Sequence, residues 1–124
     1  MPSLDQRLEL PAQPTSARRA RRFVGEILRS NGADGASDVC VLLTSELVTN
    51  AVLYARSPIV LRVALDASLV RVSVHDDSPT PPSPRSAAAN DTSGRGLALV
   101  DVLASTWGVD LNGRGKEVWF ELTL

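Results

Sequence analysis

The stretch Asp38-Val39-Cys40-Val41-Leu42-Leu43-Thr44-Ser45-Glu46-Leu47-Val48-Thr49-Asn50-Ala51-Val52-Leu53-Tyr54-Ala55 reads as one long helix, capped by Asp38 and apolar almost all round. Such a helix is normally buried on most sides, so other elements must cover it. Two polar residues interrupt its apolar surface. At 100° per residue Glu46 and Asn50 lie about 40° apart, and Val39, Leu42, Leu43 and Leu53 fall within about 60° of Glu46. Burying an amide without partners is costly, and burying an unpaired carboxylate is costlier still. Something must compensate them. One candidate is a structural arginine, for instance from the preceding helix. The other is a hydrated cation carrying a phosphate ligand, for which a carboxylate and an amide oxygen are suitable hard donors.

Working outward, the spacing of Ala17, Ala20, Phe23, Val24, Ile27 and Leu28 predicts an amphipathic helix to about Ser30. Thr15 or Ser16 is placed to cap it, and Asn31-Gly32 to stop it. Leu8 to Leu10 reads as a short strand ended by Pro11. Beyond Pro58, Ile59–Leu65 and Leu69–His75 read as strands joined by the turn Asp66-Ala67-Ser68. In the second strand Val70, Val72 and Val74 alternate with Arg71 and Ser73. Residues 77–93 hold Pro79, Pro81, Pro82 and Pro84 and read as a loop. Gly94 or Gly96 opens a third helix, and Trp107–Leu111, the turn Asn112-Gly113 and Val118–Leu124 form a closing hairpin. The order of elements predicts an α+β fold. Its form is a two-layer α/β sandwich, a mixed, mostly antiparallel sheet covered on one face by about three helices.

Length and composition bound the function. The 124 residues, 44% hydrophobic and 22% charged, suit a single globular domain over 1–124. A net charge of −1 argues against a nucleic-acid binder driven by phosphate attraction. The first ten residues lack a signal pattern and no apolar run reaches the length of a membrane span, so no membrane role and a cytoplasmic location are expected. The single cysteine, Cys40, excludes an internal disulfide framework or a thiolate metal cluster and reads as a small core side chain. Its lone histidine, His75, reads as an ordinary surface residue, and Trp107 and Trp119 as packing for the hairpin.

Two further motifs carry possible chemistry. Asp76-Asp77-Ser78-Pro79 sets two acids where a strand runs out into a proline-rich loop, a place where sheets present ligand groups and where acids also serve ordinary turns. Ser93-Gly94-Arg95-Gly96-Leu97 stands at a helix start, where backbone N–H groups and the helix dipole attract anions. Glycine there also serves turns alone.

Taken together and in this order, the three motifs resemble the GHKL ATPase superfamily with its Bergerat ATP-binding fold. Within that group the chain is similar to the small anti-sigma-factor serine kinases and their bacterial relatives. Leu43–Val52 resembles their first box, Val74–Pro79 the adenine box, Gly94–Val100 the phosphate box and Gly115–Leu122 the last strand. The resemblance implies ATP and Mg²⁺ as cofactors. It makes Asn50 the Mg²⁺ ligand, Glu46 the general base and Asp76 the acceptor for the adenine amino group. Gly94, Arg95, Gly96 and Leu97 would cradle phosphate, and residues 77–93 would form a lid. Ser78 and Thr80 stand at the two glycine positions of the adenine box and count among the nucleotide-binding positions. A basic residue after the first box is replaced by Leu53 and Tyr54, and a threonine of the last strand by Glu117. The implied activity is phosphorylation of an anti-sigma-factor antagonist, sequestration of a sigma factor, or both, in a chain that can form a homodimer. The alternative is an ATP-binding switch without phosphotransfer.

Overall fold

A computed structural model describes residues 3–55, 57–78 and 92–124. Its elements are β1 (Leu4–Leu10), α1 (Ser16–Ser30), α2 (Ser37–Tyr54), β2 (Ile59–Leu65), β3 (Leu69–Asp76), α3 (Thr92–Leu103), β4 (Thr106–Leu111) and β5 (Lys116–Thr123), with a 3₁₀ turn, Asp34–Ala36, before α2. The strands form one sheet in the order β1-β2-β3-β5-β4, antiparallel at every pairing. The helices cover one face of it, giving the expected two-layer α+β sandwich.

Strand alternation sorts the sheet's residues between the two faces. Val70, Val72, Val74 and Asp76 of β3 and Lys116, Val118, Phe120 and Leu122 of β5 are buried on the helix side. The cluster they form with Ile59, Leu61, Val63, Leu43, Leu47 and Val48 is the core. The other face is open and polar. There Arg62 forms a bidentate pair with Asp5, donating through Nε at 2.9 Å and through a second guanidinium nitrogen. Arg71 lies 4.0 Å from the centre of the Trp119 ring. That ring covers Gly108, where a side chain would meet its edge at 2.8 Å. His75 stands on this face 3.7 Å from Asp77.

Helix ends differ in detail from the sequence expectation. Thr15 is already in the α region and makes no side-chain cap, while the Ser16 hydroxyl donates back to the Pro11 carbonyl at 2.6 Å. Asp38 does not cap α2. The 3₁₀ turn leads into the helix at Ser37, leaving Asp38 in the first turn, where its charge opposes the N-terminal dipole favourably. The end of α1 behaves as read, with Asn31 Nδ2 donating to Ile27 O at 2.7 Å and Gly32 at φ 75°. Strand β1 begins at Leu4, earlier than the apolar pattern shows, because all seven residues pair with β2.

The helical stretch Asp34–Tyr54, the 3₁₀ turn and α2 together, is long and apolar enough to cross a membrane by length and composition. In this fold Cys40, Leu43, Leu47, Val48 and Ala51 are buried in the core.

Candidate functional site

The helix side of the sheet and the first buried turn of β5 bring the polar residues into the structure's interior. Asn50 sits on α2 at 7% exposure. Its amide makes no hydrogen bond among the described residues. Glu46, one turn earlier, is half-buried and engaged. The surface around Glu46 is more open than its apolar neighbours suggest, because Leu42 is 40% and Leu53 54% exposed. An arginine from α1 does reach α2, but Arg21 Nη1 donates to Ser45 Oγ at 3.0 Å. The amide is not fully enclosed, so its oxygen stays open to solvent or to a ligand. As a hard oxygen donor it suits a hydrated Mg²⁺, which takes few protein ligands and completes its shell with water and phosphate. Among the described residues no group of three or more His, Cys, Asp or Glu side chains could hold a metal by itself.

A second cluster forms where β3 ends. Asp76 is 1% and Lys116 4% exposed. The β3–β5 register sets them opposite each other, and Lys116 Nζ donates to Asp76 Oδ1 at 3.1 Å. The same oxygen accepts from the Ser78 backbone N–H at 2.8 Å, closing an Asx turn as the chain leaves the strand. Gly115 permits this geometry. A Cβ there would stand 2.0 Å from the Asp76 carbonyl oxygen and 2.9 Å from Asp77 Cα. The loop Asn112–Gly115 that delivers it is fastened by Asn112 Oδ1, which accepts from Arg114 N at 3.2 Å and Gly115 N at 2.9 Å.

Lys116 and Gly115 are absent from the residues the sequence reading placed in the site. That reading set Glu117 at the threonine position of the last strand. The register instead pairs Glu117 with His75 on the open face, where it lines a shallow pocket with Arg7, Val60 and Arg62, so its side chain cannot meet Asp76. Counting back by two from the buried Phe120 and Val118 would have placed Lys116 inward.

Of the phosphate-box residues, Leu97 is buried at 3%. Gly94, Arg95 and Gly96 lie in the early turns of α3, which opens at Thr92, two residues before Gly94. Thr80 and lid residues 79–91 lie outside the described residues. Burial pushes the Cys40 thiol up to about 12, so it stays neutral and serves the core.

The chain thus combines a helix-covered antiparallel sheet with a largely buried amide on its central helix and a buried acid at a strand end. The histidine kinase-like ATPase domain model matches residues 10–122, and the chain belongs to that family. Membership implies ATP binding. Among solved structures, the RsbU and RsbW domains of Rv1364c from Mycobacterium tuberculosis are 28% identical with a TM-score of 0.72, covering 98% of this chain and 32% of that one. The histidine kinase domain of the blue-light activated histidine kinase EL346 from Erythrobacter litoralis is similar in fold, at 24% identity and a TM-score of 0.55. That match covers 92% of this chain and 61% of the other. The chain therefore spans about a third of the first protein's length and under two thirds of the second's. No curated protein sequence matches it.

Proposed function

We propose that this protein is an ATP- and Mg²⁺-dependent regulatory kinase that phosphorylates a serine or threonine of a partner protein. In keeping with the resemblance to anti-sigma-factor serine kinases and the likeness to a structure that contains an RsbW domain, the partner is an anti-sigma-factor antagonist, and the protein phosphorylates it, sequesters a sigma factor, or both, in the cytoplasm to regulate transcription. The observation that carries the reading is the buried Asn50 amide without a described hydrogen bond, one turn from Glu46.

Bound Mg·ATP supplies the transferable phosphoryl group and neutralises its charge. Phosphoryl transfer asks little covalent chemistry of the protein beyond positioning, charge compensation and one base. Asn50 offers its amide oxygen to the metal. Glu46 accepts the proton of the attacking hydroxyl, Asp76 accepts from the adenine amino group, and the backbone from Gly94 to Leu97 holds phosphate. Ser78 flanks the base.

Glu46→Ala should keep nucleotide and lose transfer, whereas Asn50→Ala should lose Mg²⁺-dependent binding. A pull-down from native cytoplasm, with phosphosite mapping after ATP is added, identifies the acceptor. Normal phosphorylation of that acceptor by both variants would overturn the assigned roles. A second reading, an ATP-gated binding switch without transfer, draws support from Ser78. Its side chain replaces a glycine and its N–H is tied to Asp76, which restricts the chain as it leaves β3. ATP that changes partner affinity but leaves no phosphate on protein would favour the switch.

A further inference from the structure

The Asp76–Lys116 pair is unlike the other ion pairs among the described residues. Its side chains are 2% and 5% exposed, while every other pair has partners at 25% exposure or more. Burying two ions carries a desolvation penalty that their mutual attraction seldom repays in full, and apolar replacements are often as stable. The pair therefore calls for a reason beyond stability.

The inventory of donors and acceptors supplies one. A carboxylate offers about four lone-pair sites. Both described hydrogen bonds to Asp76 fall on Oδ1, and none among the described residues falls on Oδ2. Lys116 carries three N–H donors, and the described structure uses one, toward Asp76. The end of the sheet thus holds an acceptor oxygen and a charged donor side by side, both almost fully buried. The complementary ligand edge has a donor beside an acceptor. Adenine has that edge, its exocyclic amino group beside ring N1. Hypoxanthine and guanine carry the reverse order, an oxygen beside a protonated N1. In the same pose they would set oxygen against carboxylate and N–H against ammonium.

We propose that Lys116 is a specificity-determining residue for the nucleotide, donating to N1 of adenine while Asp76 accepts from the amino group. This rests on the assignment of Asp76 to the adenine amino group made above, and adds to it a second reading point that selects against 6-oxopurines.

The test is calorimetric binding of ATP, 1-deaza-ATP and inosine triphosphate, each with Mg²⁺, to the unmodified chain and to Lys116→Met. A hydrogen bond from a charged donor contributes enough that the unmodified chain should bind ATP about 10-fold or more tightly than 1-deaza-ATP. Inosine triphosphate should fall further behind. Lys116→Met should lose about the same 10-fold toward ATP and bind ATP and 1-deaza-ATP alike. Equal affinity of the unmodified chain for ATP and 1-deaza-ATP overturns the proposal, and this comparison decides even where the variant fails to fold. ATP binding by Lys116→Met as tight as the parent's, or tighter, also overturns it, since the lysine would then be idle or in the way. Asp76→Ala separates the two levels. If the folded chain binds none of the nucleotides, or binds ATP unaffected by Asp76→Ala, the assignment of Asp76 falls and the role of Lys116 with it. If Asp76→Ala abolishes binding while 1-deaza-ATP equals ATP, the role of Lys116 alone falls.

Discussion

Replacing Gly115 by alanine tests whether the site depends on how closely the end of β3 meets the start of β5. The added Cβ would lie 2.0 Å from Asp76 O, 2.9 Å from Asp77 Cα and 3.0 Å from Asp76 C. All three are backbone atoms, so no rotamer change relieves the clash. Reaching even the roughly 3.3 Å of a close carbon–oxygen contact moves the two chains apart by about 1.3 Å. Such overpacking costs about 1–3 kcal/mol. The displacement falls beside the 3.1 Å bond between Lys116 and Asp76, and losing a buried ion pair's alignment costs up to about 3–5 kcal/mol. The terms overlap, so a loss of about 3 kcal/mol is expected, or a drop in Tm of roughly 10 °C. Gly35→Ala is the control, since nothing lies within 4 Å of a Cβ there. Its effect should stay within about 0.5 kcal/mol. Urea denaturation followed by far-ultraviolet circular dichroism measures both. A Gly115→Ala midpoint matching the parent and Gly35→Ala would refute the claim that this approach is tight and that the pair depends on it.

Other expectations are more local. Gly108→Ala places a Cβ 2.8 Å from Trp119 Cζ2 and must tilt the indole off the sheet and away from Arg71. About 1 kcal/mol of stability should go with the cation–π contact, and in a Trp107→Phe background the emission of Trp119 should shift to the red. Unchanged emission would mean the ring can slide without leaving the sheet. Cys40 bears on alkaline stability. Burial raises its pKa from 9.0 to about 12, so between those values the folded state keeps a proton that the unfolded state has released, and rising pH favours unfolding. Relative to Cys40→Ala, stability should be unaffected below about pH 9 and should fall by up to about 1.4 kcal/mol per pH unit above it. Parallel urea midpoints at alkaline pH would contradict this.

What the sequence made legible and what it did not divide along a physical line. The apolar girdle of α2, the alternation of Val70, Val72 and Val74, and the Asn31-Gly32 stop all depend on neighbours a few residues away, and each was readable. So was the oddity of Glu46 and Asn50 on an apolar helix, because the cost of hiding polar groups follows from composition at helical spacing. The misreadings lie where a partner is distant in sequence. Residues 4–7 of β1 look like an irregular polar lead-in until β2 pairs with them and Arg62 meets Asp5. Thr15 and Asp38 looked like caps, yet the hydroxyl of neighbouring Ser16 turns to Pro11 and a 3₁₀ turn feeds α2. Lys116 is the sharpest case. A lysine at the start of an edge-proximal strand reads as solvent-facing, since lysine is seldom buried unless paired. Strand parity alone turns it inward, but only Asp76, forty positions earlier, makes that burial tolerable. The pair therefore has to be read as a unit. Its acid was visible from the motif and its base was not, and a function assigned to Asp76 alone leaves out the charge that keeps this carboxylate company inside the fold.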